Sequence, residues 1–422
     1  MKILKLFIVI LIVIGQGCWV ASLADSYRNQ VFTPLINSAQ VYLNDNQLDL
    51  PIMEINSSDV ITVSFDWLSL EYEHLAYRIE HCNWDWAPSG LDEMDYVQGI
   101  NEVIIEDYYT SSNTTTDYTN YSFTLPNDNV QLLLSGNYVV KIFNTDEPEK
   151  ILMTQCFSIE EPKISLNGEV SGKSIYGVNS LYQRLMFEIT FDDGFSATSD
   201  ELKIVIRQND RRDNEVKNIS PTYILPNSLK YEDERLLNFE GGVEYKKLDF
   251  SHRFRYSGEI ERISFHHPYY HVEVFPGKAE IGKGYEYDID VNGKRKINAQ
   301  DVWSNAEIDY SIVHFTYPLE EPWLDGAMYV IGGFNGNYLD ATNKMTYNFE
   351  RKQYELALLL KNGGYNYQYL FLPAGNTTGT LIRSMGSHWE TENEYQIYVY
   401  YRNKGGYYDQ LIGFYQIGSV QR

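Results

Sequence analysis

The sequence has few cysteines, few basic residues and few long apolar runs, and each shortage narrows what the protein can be. Three cysteines among 422 residues allow one disulfide at most. Lysine and arginine total 34 against 58 acidic residues, which gives a formal net charge of −24. Such a chain repels phosphate backbones and anionic lipid headgroups. The negative net charge argues against electrostatic binding to nucleic acid or to a membrane surface. It favours a partner that is rich in cationic residues.

The one long apolar run, Leu4 to Ile14, has two lysines at its start, Lys2 and Lys5. A run of this length with small residues after it is typical of a secretory signal peptide and is too short for a membrane anchor. We therefore predict a signal peptide over residues 1–24, with cleavage after Ala24. Its loss removes two lysines and no acidic residue, so the formal charge goes from −24 to −26. We expect the rest of the chain to be exported and water-soluble.

Sustained helical periodicity is also missing, whereas short alternating runs recur between glycine and asparagine turns. Ile61, Val63, Phe65 and Trp67 alternate with polar residues, which is the pattern of a half-buried strand. Seven strands are predicted in the first third of the chain: Gln40–Leu43, Asp59–Leu68, Leu75–Cys82, Glu102–Tyr109, Tyr118–Leu125, Asn137–Asn144 and Leu152–Ile159. The predicted fold class is all-β, with tandem Ig-like or fibronectin-like β-sandwich domains.

Two proline-containing acidic segments indicate domain boundaries. Strands rarely run through sequences such as Glu160-Glu161-Pro162 or Pro318-Leu319-Glu320-Glu321-Pro322. We therefore predict an N-terminal Ig-like domain over residues 25–160, a second β-sandwich over 161–318 and a C-terminal Ig-like domain over 319–422.

Recognisable catalytic and metal-binding motifs are absent from the sequence. It contains neither a Gly-x-Ser-x-Gly elbow nor a His-Glu-x-x-His pair. His81 and Cys82 are adjacent in a predicted strand, so they point to opposite faces and cannot act as a base and its nucleophile. His267 and His271 would be about 13 Å apart along a strand, too far to chelate zinc together unless the chain bends at Pro268. We predict a protein that is not an enzyme and that uses no cofactor, metal or small-molecule substrate.

The two cysteines that remain after signal cleavage are Cys82 and Cys156. In an Ig-like order they lie on the third and last strands of the first domain, with one strand between them. Two strand spacings are roughly 9–10 Å, which exceeds the reach of a disulfide. We therefore expect no bridge, although an exported protein permits one.

An ordered set of short motifs between Tyr77 and Tyr138 carries a family resemblance. The motifs are His81-Cys82-Asn83, Trp86, Ser89-Gly90-Leu91, Tyr96 before Gly99, Ser112-Asn113-Thr114, Tyr118-Thr119-Asn120-Tyr121, Leu125-Pro126-Asn127 and Ser135-Gly136-Asn137-Tyr138. Together they resemble the N-terminal domain of the type IX secretion system plug protein. Further landmarks extend the resemblance over roughly residues 35–318.

The resemblance implies a periplasmic subunit, peripheral to the outer membrane, that occludes the periplasmic opening of the translocon barrel and prevents leakage when the channel is idle. Its partner would be that outer-membrane barrel. Loops rich in tyrosine and tryptophan combine a large contact area with a polar tip, and so are suited to binding a partner. The candidate partner-binding residues are Asn83, Trp84, Asp85, Trp86, Ser89, Tyr96, Tyr118 and Tyr121.

The C-terminal region supports an alternative function. Gly332–Gly336 and Gly363–Tyr369 resemble turns and a hairpin of the early-set Ig-like domains that accompany glycogen-active enzymes. The alternative is a glycan-binding accessory protein in which Trp323, Trp389 or Tyr367 stacks on a sugar ring.

Overall fold

The computed structural model of the protein describes residues 26–419, and the predicted signal peptide lies outside them. Strands dominate these residues, so the all-β prediction is confirmed. Helical turns are limited to α1 (Glu93–Tyr96) and two 3₁₀ turns, Ser199–Glu201 and Asn305–Glu307, in this part of the chain. No helix within residues 26–419 is long and apolar enough to cross a membrane.

The first domain is a β-sandwich built from residues 26–161. Its strands are β1 (Gln30–Val31), β2 (Ile36–Leu43), β3 (Ile52–Glu54), β4 (Ile61–Trp67), β5 (Leu75–Cys82), β6 (Val97–Gly99), β7 (Val103–Ile104), β8 (Tyr108–Thr110), β9 (Thr119–Leu125), β10 (Val130–Leu132), β11 (Gly136–Asn144) and β12 (Ile151–Glu160). One sheet has the order β2-β4-β9-β8, and it faces the run β12-β11-β5-β7 of a second sheet.

Alternation in β4 places its apolar residues in the core between these sheets. Ile61, Val63 and Phe65 are fully buried there, as predicted. The opposite face of β4 is not solvated, because Asp66 is also fully buried. The single strand predicted over Glu102–Tyr109 is instead split: β7 pairs with β5 and β8 pairs with β9, so the chain crosses from one sheet to the other between them.

The second domain begins after the first acidic boundary. Its strands in this part of the chain are β13 (Ile164–Ser171), β14 (Lys173–Ser174), β15 (Gly177–Val178), β16 (Tyr182–Phe191), β17 (Leu202–Gln208), β18 (Val216–Lys217), β19 (Tyr223–Ile224), β20 (Ser228–Tyr231) and β21 (Asn238–Glu240). One sheet has the order β13-β16-β20-β19, with β21 also paired to β16.

The third domain has its own core between two sheets. Its strands are β22 (Lys246–Asp249), β23 (Ile260–His266), β24 (Tyr269–Val274), β25 (Arg295–Ile297), β26 (Tyr310–Pro318), β27 (Gly326–Gly332), β28 (Thr346–Asn348), β29 (Gln353–Lys361) and β30 (Gly363–Pro373). One sheet has the order β23-β24-β26-β29-β28, and in the other β22, β25 and β27 all pair with β30.

The chain then returns to complete the second domain with β31 (Glu394–Tyr401) and β32 (Gln410–Gly418). β31 pairs with β17, and Ile397 and Ile412 pack in one core with Leu185 and Ile189. The third core therefore interrupts the second in sequence. On this packing we propose domain limits of 26–161, then 162–243 together with 389–419, and 244–388 as an insertion, in place of the expected break after residue 318.

The first and second domains share one sheet. β12 meets β32 in a parallel pairing at Glu160 and Leu411, and the backbone N–H of Glu161 donates to the Leu411 carbonyl. Within the described residues this joins ten strands, along the path β18-β17-β31-β32-β12-β11-β5-β7 with β1 and β3 beside β12. Hydrogen bonds along a continuous sheet resist bending between the two domains.

Candidate partner-binding surface

The segment from Asn83 to Ser89 forms a closed turn after β5. The backbone N–H of Asn83 donates to the Ala87 carbonyl (2.8 Å), and that of Trp86 donates to the Asn83 carbonyl (2.9 Å). Asp85 accepts from the Ala87 N–H (3.2 Å), and Ser89 donates its own N–H back to the β5 carbonyl of His81 (2.9 Å). Trp86 takes a left-handed backbone conformation (φ 67°), which is costly for a bulky residue and is maintained by this bonding.

This turn is a joint to the second domain. The Arg402 guanidinium donates to Asn83 Oδ1 (2.7 Å) and, through two nitrogens, to the Asp409 carboxylate (2.8 and 2.7 Å). The backbone N–H of Trp84 also donates to Asp409 (3.2 Å), and its side chain packs against a cluster that contains Tyr400. Asn83 and Trp84 therefore bind a neighbouring domain of the same chain.

Trp86 covers the face of the first domain that carries the two cysteines. It packs against a cluster of Cys82, Val139 and Cys156. Both thiols are free, and β11 lies between the strands that carry them. Burial raises the pKa of the Cys156 thiol to about 12, so it stays protonated and unreactive at neutral pH.

The tyrosines predicted to bind a partner lie inside the protein. Tyr118 and Tyr121 have no exposed surface and Tyr96 is 6% exposed. The Tyr118 hydroxyl donates to the Ile308 carbonyl of the third domain (3.0 Å), and the Tyr121 ring stacks on Phe65 in the first core. The surfaces of these three side chains are therefore already used in packing within the folded chain.

His81 also has a structural role. Its ring is fully buried, lies edge-on to Tyr138 and Tyr408, and pairs through Nε2 with the Ser135 carbonyl (3.2 Å). Burial lowers the pKa of His81 to about 4, so the ring is neutral at physiological pH. The His-Cys-Asn motif thus supplies a core ring, a buried thiol and an interdomain hydrogen bond.

Other aromatic residues, which the sequence did not single out, are fully accessible. Trp303 is 99% exposed and Phe254 is 85% exposed. Their loops belong to the third domain and are tied together by an ion pair between Arg253 and Asp301 (3.6 Å). Exposed aromatic side chains on two joined loops offer the large contact area that protein interfaces use. Trp303 stands among polar turn residues, which is the one sequence signal that distinguishes it from a core tryptophan.

The residues proposed for sugar stacking are packed against other side chains. Tyr367 is 1% exposed in the third core. The Arg383 guanidinium lies 4.2 Å from the centre of the Trp323 ring, and Phe371 meets the same ring edge-on. Trp389 lies close against the backbone at Gly172. Tyr367 therefore has no accessible ring face, and contacts within the chain occupy part of the Trp323 and Trp389 rings.

The histidines around Pro268 do not form a metal site. Within residues 26–419, no group of three or more histidine, cysteine, aspartate or glutamate side chains is arranged to hold a metal ion. His271 Nδ1 instead pairs with His314 Nε2 (2.8 Å), whereas His266 and His267 are exposed.

The described residues thus form three β-sandwich units joined by buried polar contacts, which defines an all-β, multi-domain class of protein. Residues 36–161 match the family described as the type 9 secretion system plug protein 1st domain. The first domain of the chain therefore belongs to this plug protein family, which points to a structural component of the secretion system.

A solved structure supports the whole architecture. It is described as a hypothetical protein from Parabacteroides merdae ATCC 43184, and it is 39% identical to this chain. The match covers 93% of this chain and 100% of that one, with a TM-score of 0.90. No curated protein matches the chain.

We expect the two tryptophans of the turn to matter for stability more than the exposed histidines. Replacing Trp84 and Trp86 with alanine should lower the free energy of unfolding by about 3–5 kcal/mol, because packing against both domains is lost. Replacing His266 and His267 should change it by no more than about 0.5 kcal/mol. Urea unfolding followed by circular dichroism measures both, and equal losses would contradict the ranking.

Proposed function

We propose that this protein is a non-catalytic periplasmic plug that occludes the periplasmic opening of the outer-membrane translocon barrel of the type IX secretion system and prevents leakage when the channel is idle. Membership of the plug protein family supports a role in this secretion system. The barrel as the partner and the periplasm as the location belong to the proposal.

The observation that carries the proposal is the way in which the three domains are locked together. The first and second share a sheet. The first and third are joined by a buried ion pair, in which Lys361 Nζ lies 2.6 Å from Asp66 Oδ2 and the two side chains are 3% and 1% exposed. The second and third are joined by Lys294 and Glu394 (3.1 Å). A protein that blocks a wide channel must keep its domains in a fixed arrangement. Contacts of this kind resist movement of one domain relative to another.

Charge and exposed aromatic residues also fit a protein partner. A formal charge of −24 disfavours direct adsorption to anionic lipid, so attachment to the outer membrane would depend on a membrane protein. Trp303 and Phe254 supply accessible aromatic surface of the kind that dominates binding energy at protein interfaces.

Affinity purification from cross-linked native envelopes tests the proposal. A tagged chain should recover the translocon barrel, whereas recovery of the chain without the barrel would contradict the assignment. A variant with Trp303→Ala and Phe254→Ala should recover less barrel. Phe349→Ala is a matched control, because Phe349 is 77% exposed on a different loop. Equal recovery of the barrel by both variants would show that Trp303 and Phe254 do not contact it, and would leave the plug assignment itself unaffected.

A further inference from the structure

A cavity of about 590 Å³ lies where the three domains meet. Its wall includes β2 of the first domain, Arg207 and Tyr398 of the second, and Arg295 with part of β29 of the third. Cavities of this size at domain junctions are the usual location of binding sites.

The wall of the cavity is more basic than the protein as a whole. It carries five cationic residues and three carboxylates: Arg28, Arg207, Arg212, Lys294 and Arg295 against Asp49, Asp210 and Asp340. The whole chain, by contrast, has 34 basic and 58 acidic residues. Glu215 and Glu394, behind the wall, pair with Arg207 and Lys294, so the positive charge that attracts an anionic occupant comes from Arg28 and Arg295.

Arg295 has no ion-pair partner, unlike the other arginines at the back of the cavity. Burial would lower the pKa of Arg207, but Glu215 and Asp210 raise it well above its usual value. For Arg295, burial lowers the pKa, and no carboxylate in residues 26–419 lies within ion-pairing distance of its guanidinium. The Asp66 carboxylate acts on Arg295 only from beyond ion-pairing distance, so a carboxylate that enters the cavity would give this partly desolvated cation a direct partner.

Arg28 provides a second cation without a carboxylate partner among the described residues. Its Nε donates to the Gln30 side chain (3.0 Å), and its guanidinium lies 5.1 Å from the centre of the Tyr338 ring. Neither contact neutralises the charge. Arg28 therefore adds to the attraction that Arg295 exerts on an anion.

The cavity also contains a strand edge. β2 is the last strand of its sheet, so one side of it has no strand partner there, and residues 36–42 of this strand line the cavity. Arg295 is anchored at this strand, because its guanidinium donates to the Ala39 carbonyl. A peptide that adds to the edge of a sheet gains main-chain hydrogen bonds, and its alternate side chains point to one face. An acidic side chain at such a position would meet Arg295.

We propose that the cavity binds an extended acidic peptide segment of a partner protein, which pairs with the free edge of β2 and places a carboxylate against Arg295 and Arg28. This binding activity is independent of the plugging role, since either can fail without the other.

Fluorescence anisotropy with labelled hexapeptides tests the proposal on the full chain. The probe alternates valine and glutamate, and the matched probe has glutamine in place of glutamate. We expect saturable binding of the acidic probe, with the glutamine probe at least tenfold weaker. The variant R295M, which keeps the stem but removes the charge, should bind the acidic probe at least tenfold more weakly than the unchanged protein. K404M is the control, since Lys404 is an exposed cation away from the cavity and its removal should leave binding unchanged.

Circular dichroism establishes whether each variant is folded. If R295M does not fold, the variant R28Q and the glutamine probe provide the test instead. Absence of saturable binding, or equal binding by R295M and the unchanged protein, would overturn the proposal. Competition by free glutarate distinguishes a carboxylate on a peptide from a carboxylate on a small acid. Weak competition by glutarate supports a peptide segment, whereas full displacement at equal carboxylate concentration would show a small-acid site and refute the peptide.

Discussion

Cells that lack this protein should admit large antibiotics that the intact outer membrane excludes. The proposed partner is a barrel with a wide opening, and the protein would be the block that closes its periplasmic side. Without that block an idle translocon becomes a leak. Growth of the deletion strain on a glycopeptide antibiotic too large for ordinary porins measures the effect, and we expect it to be strongly inhibited where the parent strain grows. Secretion of folded cargo should continue, because removing a stopper leaves the driving machinery intact.

A strain that lacks both this protein and the barrel is the decisive control. It should regain the barrier, because the leak requires the open channel. If the single deletion stays resistant while the barrel is present and unoccupied by another subunit, the plug assignment is wrong. If both strains are equally sensitive, the defect arises elsewhere in the envelope and does not support a plug.

Local patterns predicted much of the first domain. The alternation of Ile61, Val63 and Phe65 depends only on neighbouring residues, and it correctly indicated both the strand and its inward face. The outward face could not be predicted in this way. From its neighbours, Asp66 is predicted to be solvated. Its buried partner, Lys361, lies 295 positions later in the chain, so no local pattern includes it. The same limit hid the return of β31 and β32, since nothing in a strand's own sequence says which earlier strand it will pair with.

The candidate contact residues were harder to predict, because tyrosine and tryptophan serve cores and interfaces equally well. Tyr121 was predicted as a contact residue, but it lies within β9 and its ring is buried in the first core. Trp84 and Trp86 lie in a turn, where an external partner was expected. Trp84 instead packs against the second domain of the same chain, and Trp86 packs against the first domain itself. Arg295 carried no sequence signal, since its isolation from carboxylates is a property of the assembled junction.

Loss of one partner of the buried pair between the first and third domains should destabilise the protein strongly. Lys361→Met would leave the Asp66 carboxylate buried with only the Tyr310 hydroxyl (2.6 Å) and the Asn120 amide (2.7 Å) to stabilise it. Breaking a buried pair in this way costs about 3–5 kcal/mol in the free energy of unfolding. Urea unfolding measures the loss, and Lys404→Met is the control. Lys404 forms an exposed pair whose loss should cost at most about 0.5 kcal/mol.

Replacing both partners should cost less than replacing Lys361 alone. Burial lowers the pKa of Lys361 even though Asp66 is beside it, which indicates that desolvation outweighs their attraction. A pair of that kind contributes little net stability, but either charge left alone is strongly unfavourable. Asp66→Asn combined with Lys361→Met removes both charges and keeps similar volumes, so part of the stability should return. If Lys361→Met is as stable as Lys404→Met, or if the double variant is less stable than Lys361→Met, the pair does not hold these two domains together.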